Sequence, residues 1–302
     1  MNPVQRFRSV AAATFLLTAT AAFAQSFQKQ SPPPGTTPVA HFYIDKQEIT
    51  NLDYREYLYW LALVFGQDAA EYKQALPDTT VWRNSLNYAE PLVNQYFRHP
   101  AYENYPVVGV SFEQAQQYCS WRTDRVYEMK LIEAGLIPVD RQPSKDNYFT
   151  VERYLSGQFM GLKPDKTISV PRYRLPTKDE WELAASGRLD ASVFPYGYDL
   201  SDKKIAAKLR KGQQVFQSRQ VVKMQNKAAS PITAPARSGF ANGHELYNMI
   251  GNVAEMTAER GRCKGGSFQH TLEESKIADQ ITYTQPEAWL GFRCVCVPEM
   301  PR

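Results

Sequence analysis

The chain has 302 residues, of which 43% are hydrophobic and 22% are charged, and its formal net charge is +4. This length is enough for one large domain with a buried core, or at most for two small domains. The weak positive charge gives no electrostatic reason to expect binding to nucleic acid or to an anionic membrane surface.

Residues 1–24 have the composition of a secretory signal peptide. Arg6 and Arg8 supply a basic start, an apolar stretch follows, and Ala22 and Ala24 offer small residues at a cleavage site. The competing interpretation is an uncleaved N-terminal anchor. No cysteine stands at the cleavage point, so a lipid anchor of the bacterial lipoprotein type has no attachment atom there. We predict an exported protein, periplasmic, outer-membrane-associated or secreted, with no membrane span after cleavage. Subtracting the two arginines from +4 leaves a formal charge of +2.

The chain after the signal opens with a polar, proline-rich segment, residues 25–38, which we expect to be a flexible lead-in. Residues 41–45 then form a strand candidate. Thr50 follows as the N-cap of a helix in which apolar residues recur at helical spacing. Asp53 occupies the third helical position, but it lacks the longer arm of the glutamate that usually completes a capping box.

Two further helices are predicted in the middle of the chain. Residues 107–110 favour a short strand, after which Ser111 and Gln114 have the spacing of a capping box for the second helix. Thr177 and Glu180 repeat that spacing at the start of the third helix. Each helix therefore starts with two polar residues that are three positions apart.

The rest of the chain is less regular. Residues 203–235 are basic and weakly patterned, which is typical of a surface excursion, and the C-terminal part alternates short strands with turns. There is no internal repeat and no obvious linker. We therefore predict that residues 39–298 form one α+β domain that is rich in loops, with short strands and two or three helices.

Four cysteines in an exported chain permit disulfide bonds in three different connectivities. They are Cys119, Cys263, Cys294 and Cys296. Their spacing contains no C-x-x-C pair, and the four histidines are scattered along the chain. The spacing therefore does not predict a zinc site.

Five motifs, in order, resemble the formylglycine-generating enzyme family, whose members are also called sulfatase-modifying factors. They are IDKQEITN (residues 44–51), YPVVGVSFEQAQQYCSW (105–121), RLPTKDEWE (174–182), NMIGNVAEMT (248–257) and the pair GGSF (265–268) with GFRC (291–294). The resemblance implies the irregular α+β fold of that family, which is related to the C-type lectin fold. A narrower similarity, carried by residues 76–82, 96–102 and 121–124, is to the gliding-motility and type IX secretion lipoproteins of Bacteroidetes. This chain departs from those proteins because it has no lipid-acceptor cysteine.

The resemblance also implies where catalysis would take place. In the family, a copper ion is held by two cysteine thiolates, the first three residues after the serine of the G-G-S motif and the second five residues further on. Counted from Ser267, these positions hold His270 and Ser275. A serine hydroxyl cannot replace a thiolate as a ligand of Cu(I). We therefore expect no copper and a non-catalytic protein. The alternative is an oxidase or a nonheme iron oxygenase that uses atypical ligands.

By the same resemblance, Asn248, Gly251, Val253 and Glu255 match the ligands of a structural calcium ion: an amide oxygen, two backbone carbonyls and a carboxylate. Oxygen ligands suit this hard cation, and an extracellular module needs only modest affinity for it. The alternative is that Asn248 and Glu255 only hydrogen-bond the turn. The second calcium site of the family cannot be placed on this sequence.

The resemblance pairs Cys119 with Cys294 as a disulfide. Antiparallel pairing of the two strands that carry Cys263 and Cys296 would place these residues opposite each other, which predicts a second bond between them. The alternative is that Cys263 and Cys296 remain free as small buried residues.

The resemblance and the missing thiolates together predict a non-catalytic structural or interaction component of the bacterial envelope, associated with type IX secretion or gliding motility. Its expected partners are envelope proteins. A ligand-binding module is a third hypothesis, suggested by the relation to lectins, but no motif supports it.

Overall fold

The computed structural model describes residues 31–84, 89–140, 142–210, 218 and 232–301. The predicted signal peptide lies outside the described residues. The α-helices in these ranges are α1 (Asn51–Phe65), α2 (Ala70–Ala75), α3 (Glu90–Gln95), α4 (Phe112–Glu133), α5 (Val151–Leu155), α6 (Lys178–Ala185) and α7 (Lys203–Arg210). The strands are β1 (Thr36–Val39), β2 (Phe42–Asp45), β3 (Val170–Arg174), β4 (Ala254–Met256), β5 (Arg262–Lys264), β6 (Ile281–Thr282), β7 (Leu290–Gly291) and β8 (Val295–Glu299). Short 3-10 helices cover Thr79–Asn84, Pro100–Tyr102 and Glu273–Ser275. The α+β class and the three predicted helices, α1, α4 and α6, are confirmed.

The three predicted helices begin where their capping residues stand. The reciprocal capping boxes of Ser111 with Gln114 and of Thr177 with Glu180 are both formed. Asp53 also completes a capping box: its Oδ2 accepts a hydrogen bond from the backbone N–H of Thr50 at 2.9 Å, and its own N–H donates to Thr50 Oγ1 at 3.1 Å. The expectation that aspartate is too short for this role was wrong, because its carboxylate reaches the N-cap backbone.

Two four-stranded sheets organise the strands. In the first sheet the order is β1-β2-β8-β3, with antiparallel pairing throughout. In the second the order is β6-β5-β4-β7, and β4 and β7 run parallel. The last strand, β8, lies between β2 and β3, so that Cys296 is opposite both Tyr43 and Tyr173. This pairing joins the C-terminal end of the domain to its first hairpin.

Aromatic side chains make up much of the core. Tyr54 of α1 stacks on Tyr118 of α4 with ring centroids 5.7 Å apart, and Tyr57 meets the same ring edge-on. A second cluster surrounds the fully buried Trp181 of α6, between the first sheet and the segment around Met249. These contacts bury large apolar areas where the regular ladders are short.

Residues 107–110 do not form the predicted strand. The backbone N–H of Val107 donates to the carbonyl of Ile49, and that of Gly109 donates to the carbonyl of Glu287. Because these two partners lie in different segments, no continuous ladder forms, and the nearby pairing is an isolated bridge between residues 50 and 106.

Regular structure also extends beyond two predicted boundaries. β1 begins at Thr36, inside the segment predicted as a flexible lead-in, and pairs with β2 over its whole length. The basic segment that starts at residue 203 opens with helix α7. Among the described residues, none of the helices has both the length and the apolar character needed to cross a membrane.

Candidate functional site

The G-G-S turn follows β5 directly and leaves no space for side chains at its two glycines. Gly265 and Gly266 have φ angles of 87° and 65°, which is left-handed backbone. A Cβ atom on Gly266 would lie 1.9 Å from Oγ of Ser275, and one on Gly265 would lie 2.5 Å from the carbonyl oxygen of Met249. Glycine is therefore required at both positions, and the turn brings Ser275 against the backbone that precedes Ser267.

His270 and Ser275, the residues at the two copper positions, are both engaged in local hydrogen bonds. Nδ1 of His270 lies 2.7 Å from Oγ of Ser267, and the imidazole packs edge-on against Trp289 at 4.9 Å. Ser275 is buried, and its hydroxyl donates to the carbonyl of Thr271 at 2.7 Å. Burial lowers the pKa of His270, partly opposed by nearby Glu274, so the imidazole is neutral at physiological pH.

These side chains do not fit a Cu(I) ion. A Cu(I) site needs soft ligands, and this turn supplies one imidazole, whose Nδ1 is already hydrogen-bonded to a hydroxyl, and one buried serine. Within the described residues, no group of three or more His, Cys, Asp or Glu side chains is placed to hold a metal ion. We therefore derive no catalytic step from copper at this position.

Glu255 of β4 and Arg293 form a buried ion pair. Both carboxylate oxygens of Glu255 accept from the guanidinium of Arg293, at 2.7 and 2.5 Å, and Nε1 of Trp181 donates to the same carboxylate at 2.8 Å. Arg293 also donates to the carbonyls of Asp45 and Tyr247. Both charged side chains are shielded from solvent, with exposures of 0% and 1%. The pair therefore connects β2, β4, α6 and the segment before β8.

Glu48 is a second fully buried carboxylate close to this pair. Its Oε1 accepts from Nδ2 of Asn252 at 2.9 Å, and its Oε2 accepts from Nδ2 of Asn248 at 3.3 Å. Burial raises the pKa of Glu48 to about 8; Arg293 opposes the increase and Glu255 adds to it. This role was not predicted, because nothing in the spacing of the first motif marks Glu48 as buried.

The candidate calcium ligands fit a calcium ion poorly. The carboxylate of Glu255 already has Arg293 as its counter-ion, and the amide of Asn248 directs its N–H groups to Glu48 and to the carbonyl of Ala236. A dication bound to Glu255 would lie against a buried guanidinium, which is electrostatically unfavourable. The side-chain partners of Asn248 and Glu255 lie in other segments of the chain, and not in the turn that the alternative names. Melting with calcium and with a chelator tests the calcium expectation, which would also need the carbonyls of Gly251 and Val253.

The four cysteines are buried free thiols in this structure. Sγ of Cys119 lies 3.3 Å from Sγ of Cys294, so the two residues implied by the resemblance are neighbours. The strand pairing expected for Cys263 and Cys296 was wrong: Cys263 lies in β5, which pairs with β4 and β6, whereas Cys296 lies in β8, which pairs with β2 and β3. The alternative, in which Cys263 and Cys296 are buried thiols, describes this structure.

The fold and the site define an α+β domain that has a G-G-S turn and a G-F-R-C segment, whose arginine forms a buried ion pair with Glu255 of β4. The sulfatase-modifying factor enzyme 1-like domain matches residues 2–297, and the chain belongs to this family.

Similar proteins include a formylglycine-generating enzyme and a relative that is named inactive. The formylglycine-generating enzyme of Thermomonospora curvata is 36% identical over 155 residues, which are 41% of this chain and 50% of that protein. The chain thus spans half the length of that relative. The inactive C-alpha-formylglycine-generating enzyme 2 of Bos taurus is 25% identical over 293 residues, 85% of this chain and 77% of that protein. The solved structure of Treponema denticola variable protein 1 covers 85% of this chain and 84% of its own, with 18% identity and a TM-score of 0.45.

Proposed function

We propose that this protein is a non-catalytic structural or interaction component of the bacterial cell envelope. The proposal rests on the identity of the residues at the two copper positions. His270 and Ser275 stand where the family resemblance expects thiolates, and both side chains are used in hydrogen bonds of the turn itself. A site built in this way stabilises a turn and offers no soft ligand pair to a metal ion.

A relative that carries "inactive" in its name supports the proposal, because its similarity extends over 85% of this chain. We further propose export to the periplasm or the outer membrane, and an association with type IX secretion or gliding motility. The support for the association is the narrower sequence similarity over residues 76–82, 96–102 and 121–124. The expected partners are therefore proteins of the envelope.

The catalytic part of the proposal is tested with the purified mature chain, copper and a cysteine-containing sulfatase peptide, with mass spectrometry to detect the aldehyde product. We expect no aldehyde and no stoichiometric copper. The matched variant is His270→Cys with Ser275→Cys, which restores two thiols at these positions and should bind Cu(I). Conversion of the peptide by the unaltered protein would overturn the proposal.

The envelope part is tested separately, by chemical cross-linking in cells followed by affinity purification from envelope fractions. Recovery of a type IX secretion or gliding component above a tag-only control supports the association. Recovery of none, from cells in which the protein is present in the envelope, contradicts it. N-terminal sequencing of the purified protein should show that the chain begins at Gln25.

A further inference from the structure

A groove follows the exposed side of α4. Three adjoining cavities of about 460, 480 and 300 Å³ share their lining: Trp121 lines the first two, and Val126 and Met129 line the last two. The lining extends from Glu113 to Glu133, which at 1.5 Å per helical residue is about 30 Å. We refer to these joined cavities as the α4 groove.

The end of the α4 groove near the start of the helix is walled by aromatic rings. Tyr57, Trp60 and Phe65 of α1 face Trp121 of α4 and Tyr148 of the loop before α5. Ring centroids are 5.3 Å apart for Tyr57 and Trp121, 5.7 Å for Trp60 and Tyr148, and 5.2 Å for Phe65 and Tyr148. The rings of Trp60, Trp121 and Tyr148 are partly exposed. This end therefore offers partly exposed aromatic side chains to a ligand.

Three buried hydrogen-bond donors in the wall of this end have no acceptor among the described residues: Nε1 of Trp60, Nε1 of Trp121 and Nε of Arg125. The Arg125 guanidinium lies over the ring of Trp60, at 4.5 Å from its centroid. Buried polar groups are normally paired, and an unpaired donor gains from any acceptor that reaches it. Because the two indole N–H groups have no protein partner, small movements of these partly exposed rings toward a ligand would break no hydrogen bond. The ligand that suits this end must supply acceptors.

The opposite end of the groove already holds a peptide segment of this chain. Pro32, Pro33 and Pro34 line the third cavity, against α4. Nη2 of Arg122, on α4, donates to the carbonyl of Pro34 at 3.0 Å. Proline rings thus lie along the groove while a side-chain N–H of α4 binds a backbone carbonyl.

We propose that the aromatic end of the α4 groove binds an extended, proline-containing peptide segment of a partner protein. The proline rings pack on the exposed parts of the Trp60, Trp121 and Tyr148 rings, and small movements of the side chains let the peptide carbonyls accept from the indole N–H groups and from Arg125. Extended proline-rich peptides suit such a surface because their carbonyls are free and their backbone loses little entropy on binding. The proposal does not depend on the copper positions, so the two proposals fail separately.

The test uses the mature full-length protein labelled with nitrogen-15, in which the five tryptophans give resolved indole N–H signals. A ten-residue proline peptide is titrated in, with a ten-residue Gly–Ser peptide and cellohexaose as separate arms. We expect saturable shifts of the Trp60 and Trp121 signals with the proline peptide alone. Trp60→Phe and Trp121→Phe keep a ring but remove the donor, and each should weaken binding about 3- to 10-fold, the effect of one hydrogen bond.

Tyr59→Ala is the matched control, because Tyr59 is next to Trp60 but is 71% exposed and does not line the aromatic end. Its binding should equal that of the unaltered protein. Since the first measurement needs no variant, a misfolded variant cannot obscure the result. Absence of shifts at saturating proline peptide, equal shifts with the Gly–Ser peptide, or shifts with cellohexaose alone would each overturn the proposal, the last in favour of a saccharide site.

Discussion

Replacing Glu255 with glutamine should expose how much the buried ion pair contributes to stability. The change leaves the shape of the side chain but removes the charge that faces Arg293, and both side chains have almost no contact with solvent. Removing one partner of a buried pair costs about 3–5 kcal/mol, because the other charge stays buried without compensation. A domain with a total stability of about 5–15 kcal/mol would lose a large part of it.

Glu48 determines where in that range the loss falls. The negative charge of Glu255 helps to raise the pKa of Glu48, whereas Arg293 lowers it. In the Glu255→Gln variant that repulsion is gone, so Glu48 can ionise and partly neutralise Arg293. We expect a loss of about 3 kcal/mol for the single variant at pH 7, and about 5 kcal/mol when Glu48→Gln is added.

Urea unfolding, followed by both tryptophan fluorescence and circular dichroism, measures these free energies. The matched control is Glu245→Gln, because Glu245 pairs with Lys46 at 2.9 Å but is 73% exposed. Exposed pairs contribute about 0–1 kcal/mol, so the control should differ little from the unaltered protein. A Glu255→Gln variant within about 1 kcal/mol of this control would refute the reasoning.

Three further predictions concern pH, oxidation and calcium. The free energy of unfolding should fall as the pH rises from 4.5 to about 8, because folded Glu48 keeps its proton up to a pKa of about 8 while the unfolded residue loses it near 4.5. Glu48→Gln should flatten this pH dependence, and equal slopes for the two proteins would contradict the assignment. In exported protein that is denatured without reductant, Cys119 and Cys294 should resist alkylation because they form a disulfide bond. In the chain-entropy account this bond stabilises the folded state by about 5 kcal/mol. An alkylated Cys119 would argue against the bond. The protein should have the same melting temperature with calcium and with a chelator, because Arg293 already neutralises Glu255. A clearly higher melting temperature with calcium would support the calcium site.

The helix starts could be predicted because capping depends on residues three apart in the sequence. Thr50, Ser111 and Thr177 each hydrogen-bond a backbone N–H of the first helical turn, and this geometry needs no distant partner. The strand assignments were less complete, because pairing depends on segments that are far apart. Residues 107–110 have the composition of a strand, but their hydrogen-bond partners come from two separate segments, and no ladder forms.

The cysteines show the same contrast. Cys119 and Cys294 are neighbours as the family resemblance implies. The predicted bond between Cys263 and Cys296 assumes that their strands are neighbours, but the structure places these strands in different sheets. Short strands carry little information about which strand they join, since a few apolar residues fit several partners equally well.

The family and the absence of paired thiolates can be recognised from the amino-acid sequence alone, because ordered motifs and residue identities at counted positions need no coordinates. The burial of Glu48 beside Asn248 and Asn252, the pairing of Arg293 with Glu255, and the buried unpaired donors beside the α4 groove are visible only in the folded chain. Burial and ion pairing arise where segments far apart in the chain meet, and the charge state of each group follows from that environment.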